Sequence, residues 1–295
     1  CINHVIVLDI WNMPLQNTSD KITSRPFLKW AGGKYRLLDK IKPILPPGQR
    51  LIEPFAGAAA IFLNTHYQSY WLNDLNVDLI HLYQQLKRQG NLFIEFAETF
   101  FSSSNNSEKH YYRLRQHFNQ TNDKNEKAAL FIYLNRHSYN GLCRYNQKGQ
   151  FNAPFGHYKK VIFPKEQLVI FSQKASTAKF THQNFENVMQ KAKPGDIIYC
   201  DPPYVPLSKT ANFTQYSDKA FSLQQQQRLA DMAFSLALKR IPVIISNHNI
   251  GFTRKLYQAA KLKKFTVPRL ISCKGNLRHP AKELLAIYDG NVKID

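Results

Sequence analysis

The chain has four cysteines, and no two of them are close in sequence: Cys1, Cys143, Cys200 and Cys273. That spacing supports neither a zinc site nor a disulfide framework, so free, mostly buried thiols in a reducing cytoplasm are expected. No apolar run reaches transmembrane length. The short run from Val5 to Leu8 is broken by Asp9 and has no basic segment ahead of it, which argues against a secretory core. Acidic residues are scarce: 20 Asp and Glu face 40 Lys and Arg, a formal charge of +20 over 295 residues. No all-basic tail carries this excess. A folded basic surface of that kind attracts a polyanion, and the phosphate backbone of nucleic acid is the default partner. A long basic amphipathic helix, which would favour a membrane surface, is also missing. Phosphate-loop and dinucleotide fingerprints are absent too. In Phe27-Leu28-Lys29-Trp30-Ala31-Gly32-Gly33-Lys34-Tyr35, Leu28 and Tyr35 stand where a P-loop needs Gly and Ser or Thr. No G-x-G-x-x-G follows any apolar run, which argues against NAD.

What is present reads as an α/β chain, organised as one domain with an insertion or as two domains. The hydrophobic share of 43% is enough for a full core at this length. Leu51 to Leu63 reads as strand, small-residue turn and helix, with free N–H groups at the helix start. Tyr70-Trp71-Leu72-Asn73-Asp74 is a second short strand ending in an acid. Asp74 is placed either to hydrogen-bond the hydroxyls of a ribose or to cap the helix that follows. Residues 78–137 are expected to be mainly helical, with a loop from Ser102 to Glu108. Ala178 to His182, Ile197 to Cys200 and Val243 to Ser246 are expected strands. Leu223 to Lys239 is an expected helix, and Phe265 to Ile271 and Leu284 to Tyr288 expected edge strands. Phe185 can line an adenine ring or belong to the core.

The run Ile197-Ile198-Tyr199-Cys200 ends at Asp201-Pro202-Pro203-Tyr204. Each proline lacks an N–H and has a fixed φ, so no ladder continues past Cys200. The carboxyl end of such a strand is where open α/β sheets bind ligands. The turn offers a carboxylate, main-chain carbonyls and one aromatic ring. Those groups suit an exocyclic base amine, whose lone pair is delocalised into its ring. If Asp201 and a neighbouring carbonyl, that of Pro202, both accept from the NH₂ group, the lone pair is freed towards an electrophile. Tyr204 can stack on a base rotated out of its duplex. A proline-rich turn with a solvated Asp is the plain alternative. Between Asn135 and Lys160, Tyr, Asn and Arg interleave without a helix or strand period. That mixture suits base-edge readout, though a solvated basic loop has the same composition.

These motifs together resemble the DNA adenine-N6 methyltransferases of the Dam family. They are F-L-K-W-A-G-G-K-Y, E-P-F-A-G-A, N-G-L-C-R-Y-N and D-P-P-Y-x-P-L-S-x-T-A-N-F-T, in register from about Phe27 to Tyr288. The resemblance implies a Rossmann-like methyltransferase sheet that binds S-adenosylmethionine, with a mostly helical DNA target-recognition insertion. The expected division is a catalytic domain of residues 25–75 and 163–295 and a recognition domain of residues 76–162. Residues 1–24 are expected to be an N-terminal extension, either without fixed structure or partly foreign to the native protein, with Met13 expected as the native start and residues 1–12 upstream of it. By position in the motifs, Asp201, Pro202 and Tyr204 would be catalytic. Trp30, Lys34, Phe55, Gly57, Asp74, Phe185 and Asp201 would bind the cofactor. Lys29, Tyr139, Asn140, Leu142, Arg144, Pro154 and Tyr158 would read or intercalate at 5′-GATC-3′, with Arg115 and Arg136 on the DNA backbone. Arg269, Lys274, Arg278 and Lys282 can meet phosphates or simply face solvent. The implied partner is double-stranded DNA, bound by a monomer that needs no metal. Cytosine-N4 methylation and a DNA-binding protein without catalysis are the alternatives. Two departures stand out: Ala59 replaces the second glycine of the family's F-x-G-x-G turn, and His157 stands where an arginine is usual.

Overall fold

The computed structural model describes residues 23–205, 221–267 and 280–289. Seven strands form one sheet: β1 (Arg50–Glu53), β2 (Ser69–Asn73), β3 (Ala178–Thr181), β4 (Asp196–Cys200), β5 (Val243–His248), β6 (Lys261–Val267) and β7 (Ala281–Tyr288). Their order is β3-β2-β1-β4-β5-β7-β6. Strands β1 to β5 run parallel, and β7 is antiparallel to both β5 and β6. This is a Rossmann-like winding whose direction reverses between β1 and β4, and the crevice beyond their carboxyl ends is the natural ligand site.

The parallel strands are apolar on both sides because helices cover both faces. The period of two sorts their side chains: Leu51, Ile197 and Tyr199 enter one hydrophobic cluster, while Ile52, Ile198 and Cys200 enter the other. The first cluster is roofed by the helices Val77–Gln89, Asn91–Glu98, Glu108–Gln120, Lys124–His137 and Lys165–Ala175. The second lies under Phe185–Met189 and Leu223–Leu238. Local chemistry sets the helix starts: Asn76, Ser107 and Asp123 each accept a first-turn N–H, as short polar side chains do at N-caps. Gly90 ends the first of these helices at φ +56°.

The expected helices over 78–137 and the first five expected strands are present, within a residue or two of the expected bounds. The edge of the sheet differs from expectation. β7 is not an edge strand but lies between β5 and β6, which is why Leu284, Leu285 and Ala286 are fully buried. β6 begins at Lys261, ahead of the apolar residues that mark it, because an edge strand carries exposed lysines at 261, 263 and 264 without loss of core. The hydrophobic cluster runs unbroken past residue 75, so Val77–Gln89 packs on both the sheet side and Lys124–His137. Residues 1–22 with Met13, the positions Arg269, Lys274 and Arg278, and the motif from Pro206 onward lie outside the described residues. Ser24 is tied to the helix Ala60–Asn64 by paired bonds with the Asn64 amide, at 2.8 and 2.9 Å. Among the described residues no helix is long and apolar enough to cross a membrane.

Candidate active site

The buried strand β4 delivers Asp201 to the crevice between β1 and β4. Two donors from different elements meet on the same oxygen of Asp201. Lys34 Nζ lies 2.7 Å from Oδ1, and Ser246 Oγ, on β5, donates to Oδ1 at 2.8 Å. Lys34 is 6% exposed and Asp201 21%. The Gly32-Gly33 turn places that ammonium: Gly32 has φ +76° and its carbonyl accepts from Lys34 Nζ at 2.6 Å. The same ammonium lies 4.7 Å from the centre of the Tyr204 ring. In this structure, therefore, the residue expected at the cofactor is bonded to the Asp201 carboxylate.

Tyr204 is held by three groups. Its hydroxyl donates to Glu283 Oε2 on β7 at 3.0 Å, and the His248 ring meets it edge-on at 4.8 Å. Lys34 is the third. Burial, then the charges of Asp201 and Glu283, push the Tyr204 hydroxyl well above its ordinary pKa, so it stays a donor. Behind the turn, Gln226 Nε2 donates to the Pro203 carbonyl at 2.8 Å and Asn247 Oδ1 accepts from Val205 N–H at 3.3 Å. These contacts fix the direction in which Pro202 and Tyr204 leave β4.

At the end of β1, Gly57 has φ +47°. Its N–H donates to Asp74 Oδ2 at 2.9 Å, and Asn76 N–H donates to Asp74 Oδ1 at 2.9 Å. The helix cap is Asn76, not Asp74, since Asn76 Oδ1 takes the Leu79 N–H. Burial raises the Asp74 carboxyl above its ordinary value, and the two N–H donors oppose the rise. A carboxylate offers about four acceptor sites, and backbone N–H groups do not use all of them, so acceptor capacity remains for a hydroxyl group. The Trp30 indole closes this corner: a Cβ on Gly57 would fall 2.9 Å from Trp30 Nε1. An indole, a glycine floor and an acid with spare lone pairs fit an adenosyl group. Phe185 is 2% exposed and sits in the core, against Phe55 at 5.4 Å. Phe55 itself keeps partial exposure. Ala59 holds a left-handed conformation, φ 58° and ψ 36°, and is fully buried. The turn therefore keeps the shape a glycine would take, with a methyl packed inside it.

Several residues that sequence reasoning passed over stand in the same site. Ser246, Glu283 and His248 come from β5 and β7 and carry no local motif. Glu53 is 2% exposed, and its Oε1 has no hydrogen-bond partner among the described residues. Burial, with the Asp201 charge adding, pushes its carboxyl up to about 8. A charged residue closing an apolar strand was the one available signal.

Of the residues expected at DNA, Tyr158 and Arg136 contact Lys29 directly. Asn135, fully buried, accepts from Lys29 N–H at 2.9 Å and donates to the carbonyls of Lys29 and Gly141 at 2.7 and 3.1 Å. It ties the Phe27–Tyr35 stretch to the 139–146 loop. Gly141, at φ +68°, lies so close that a Cβ would fall 2.2 Å from Lys29 Cβ. Lys29 Nζ lies 3.9 Å from the Tyr158 ring centre and donates to the Arg136 carbonyl at 3.2 Å. Burial, then Arg136, lower its pKa to about 8. Two antiparallel bridges, Ser138 with Phe155 and Tyr145 with Phe151, make the segment a loose hairpin. Tyr139 and Asn140 are exposed at its start, with Asn140 at φ +51°, and Tyr139 N–H donates to the Pro154 carbonyl. Leu142 is half-buried. Arg144 is engaged with Asn152 through Nε and Nη2 at 2.8 and 3.0 Å. Arg115 donates to the Ala153 carbonyl at 3.0 Å, and Arg136 is half-buried beneath Lys29. His157 is exposed, in left-handed conformation, against Phe155.

Residues 30–269 match the family described as D12 class N6 adenine-specific DNA methyltransferase. A DNA adenine methylase of Salmonella typhi is 49% identical over 269 residues, 91% of this chain and 97% of that protein. The DNA adenine methylase of Escherichia coli K12 is 48% identical over the same shares. That of Vibrio cholerae serotype O1 is 46% identical, over 90% of this chain and 96% of its own length.

Proposed function

The chain belongs to the D12 class of N6 adenine-specific DNA methyltransferases, and we propose that it methylates adenine within 5′-GATC-3′ using S-adenosylmethionine. The observation that carries this reading is Asp201, at the switch point of the sheet, on one side of a corner formed by Trp30, Gly57 and Asp74. Bound there, S-adenosylmethionine would supply a methyl group on a positively charged sulfur. Trp30 and Gly57 would hold its adenosyl part, with Phe55 beside them, and Asp74 would accept from its ribose hydroxyls.

The chain's own residues do the rest. Lys29, Arg115 and Arg136 bring the duplex in through charge, and Tyr139, Asn140, Leu142, Arg144, Pro154 and Tyr158 read or wedge the site. The target adenine leaves the stack and lies on Tyr204, whose ring the Glu283 contact keeps from turning. Asp201 and the Pro202 carbonyl accept the two N6 hydrogens, which turns the nitrogen lone pair outward. The gain is positional and electrostatic, because the reacting nitrogen is held in line and its developing positive charge faces a carboxylate.

The test is transfer of tritiated methyl from S-adenosylmethionine to a duplex with one GATC, beside a scrambled duplex and the Asp201→Ala variant. Transfer to the GATC duplex alone, lost in the variant, is the expected outcome. Equal transfer to both duplexes would refute the site assignment, and transfer by the variant would refute the role of Asp201.

A further inference from the structure

We propose that Ser246 is a positioning residue for methyl transfer: with Lys34 it holds Oδ1 of Asp201, so that Oδ2 is the oxygen presented to the substrate amine. This rests on the reading of Asp201 as the acceptor of that amine. A carboxylate oxygen has two lone-pair directions, and both on Oδ1 are taken, by Lys34 at 2.7 Å and Ser246 at 2.8 Å. Each donor is itself fixed. Ser246 is 1% exposed on β5, where Cys200 pairs with Ile245, so residue 246 stands beside residue 201. Tyr199 donates its hydroxyl to Ser246 Oγ at 3.3 Å, and its full burial keeps that hydroxyl protonated. The Ser246 hydrogen is thereby directed to its acceptors, Asp201 Oδ1 at 2.8 Å and the Cys200 carbonyl at 3.3 Å. Lys34 is anchored by the Gly32 carbonyl as well as by Asp201.

The terminal torsion of an aspartate is broad and two-fold. One donor alone lets the carboxylate swing about its bond, while two donors from different elements fix its plane. The orientation of Oδ2 towards the amine decides how far the N6 lone pair is freed, so Ser246 acts on the reaction without touching the base. Asp201→Asn sharpens the argument. Its amide oxygen would be claimed by Lys34 and Ser246, turning the NH₂ group towards the substrate amine, donor against donor.

The experiment is single-turnover methyl transfer at saturating S-adenosylmethionine and GATC duplex, with wild type, Ser246→Ala, Ser246→Cys, Ser246→Thr and Asp201→Asn. Duplex affinity, S-adenosylmethionine affinity and the fluorescence of 2-aminopurine at the target position are measured alongside. Loss of a hydrogen bond to a charged group predicts transfer slowed about tenfold or more in Ser246→Ala. Both affinities and the 2-aminopurine signal should stay within about twofold of wild type. The near-isosteric Ser246→Cys, a weak donor, should also be slow, and Ser246→Thr, which keeps the hydroxyl, faster than Cys. Asp201→Asn should bind duplex and transfer no methyl. Wild-type transfer rates in Ser246→Ala, a Cys variant as fast as Thr, or a loss traced to binding or base entry would each overturn the inference. Methyl transfer by Asp201→Asn would instead overturn the reading of Asp201, and this inference with it, while an inactive wild type would overturn the proposed reaction itself.

Discussion

Glu53→Gln should remove most of the fall in stability that the wild type shows as pH rises through neutrality. Glu53 ends β1 at 2% exposure. Burial, reinforced by the Asp201 charge and opposed by the Phe62 N–H and Lys174, lifts its carboxyl from 4.5 to about 8. Between those two values the folded protein keeps a proton that the unfolded chain has released. Stability therefore falls with rising pH across that window and stops falling from this source above about 8. Each unit is worth ~1.4 kcal/mol. The rise from about pH 5 to about pH 7.5 should thus remove ~3 kcal/mol from the wild type relative to the variant. Glutamine has a similar shape and no proton to lose. Guanidinium unfolding at half-unit steps of pH measures both proteins, and their difference isolates the group. Two parallel curves would refute the assignment of Glu53 as a neutral carboxyl at physiological pH.

Lys29, lowered to about 8 by burial and Arg136, is protonated below that pH and should bind phosphate or base acceptors only in that form. Duplex affinity by anisotropy should fall between about pH 7 and about pH 9, and Lys29→Met should flatten the profile and reduce the salt slope by about one. Gly141→Ala should weaken duplex binding at least about tenfold, since Gly141 is at φ +68° and a Cβ would strike Lys29. Its unfolding free energy should drop by at least ~1–2 kcal/mol, the strain of a left-handed alanine alone, with the clash against Lys29 adding to it. Ala59→Gly should leave stability within ~1 kcal/mol. Relief of ~1–2 kcal/mol of left-handed strain is offset by ~0.4–1 kcal/mol of unfolded-chain entropy and ~0.8 kcal/mol for the buried methyl. A thermal unfolding change of several kcal/mol would show that the turn is held differently.

The Asp201 turn was legible because prolines at 202 and 203 end a strand by local chemistry alone. The Gly57 turn was legible for the same kind of reason, as small residues between an apolar strand and a helix. The helices over 78–137 follow from apolar spacing and from caps written beside them. β6 was misjudged because three lysines interrupt its apolar pattern, which is tolerable only at an edge. β7 was misjudged because sequence order does not reveal that it slides between β5 and β6.

Sequence alone thus determined the class of the fold, the carboxylate at a strand end and the basic, amide-rich composition of the loop after Asn135, since each depends on neighbours along the chain. Only tertiary structure decided which groups surround that carboxylate. Lys34, Ser246 and Glu283 lie in three distant segments; the Gly-Gly motif marks Lys34 as a site residue but not as the partner of Asp201, and nothing local marks Ser246 or Glu283. They meet at Asp201 and Tyr204 because the sheet reverses direction at β1 and β4 and admits β7 beside β5. The hydrogen bonds that orient the site follow strand order, and strand order is a property of packing, in which side chains far apart in sequence bury one common core.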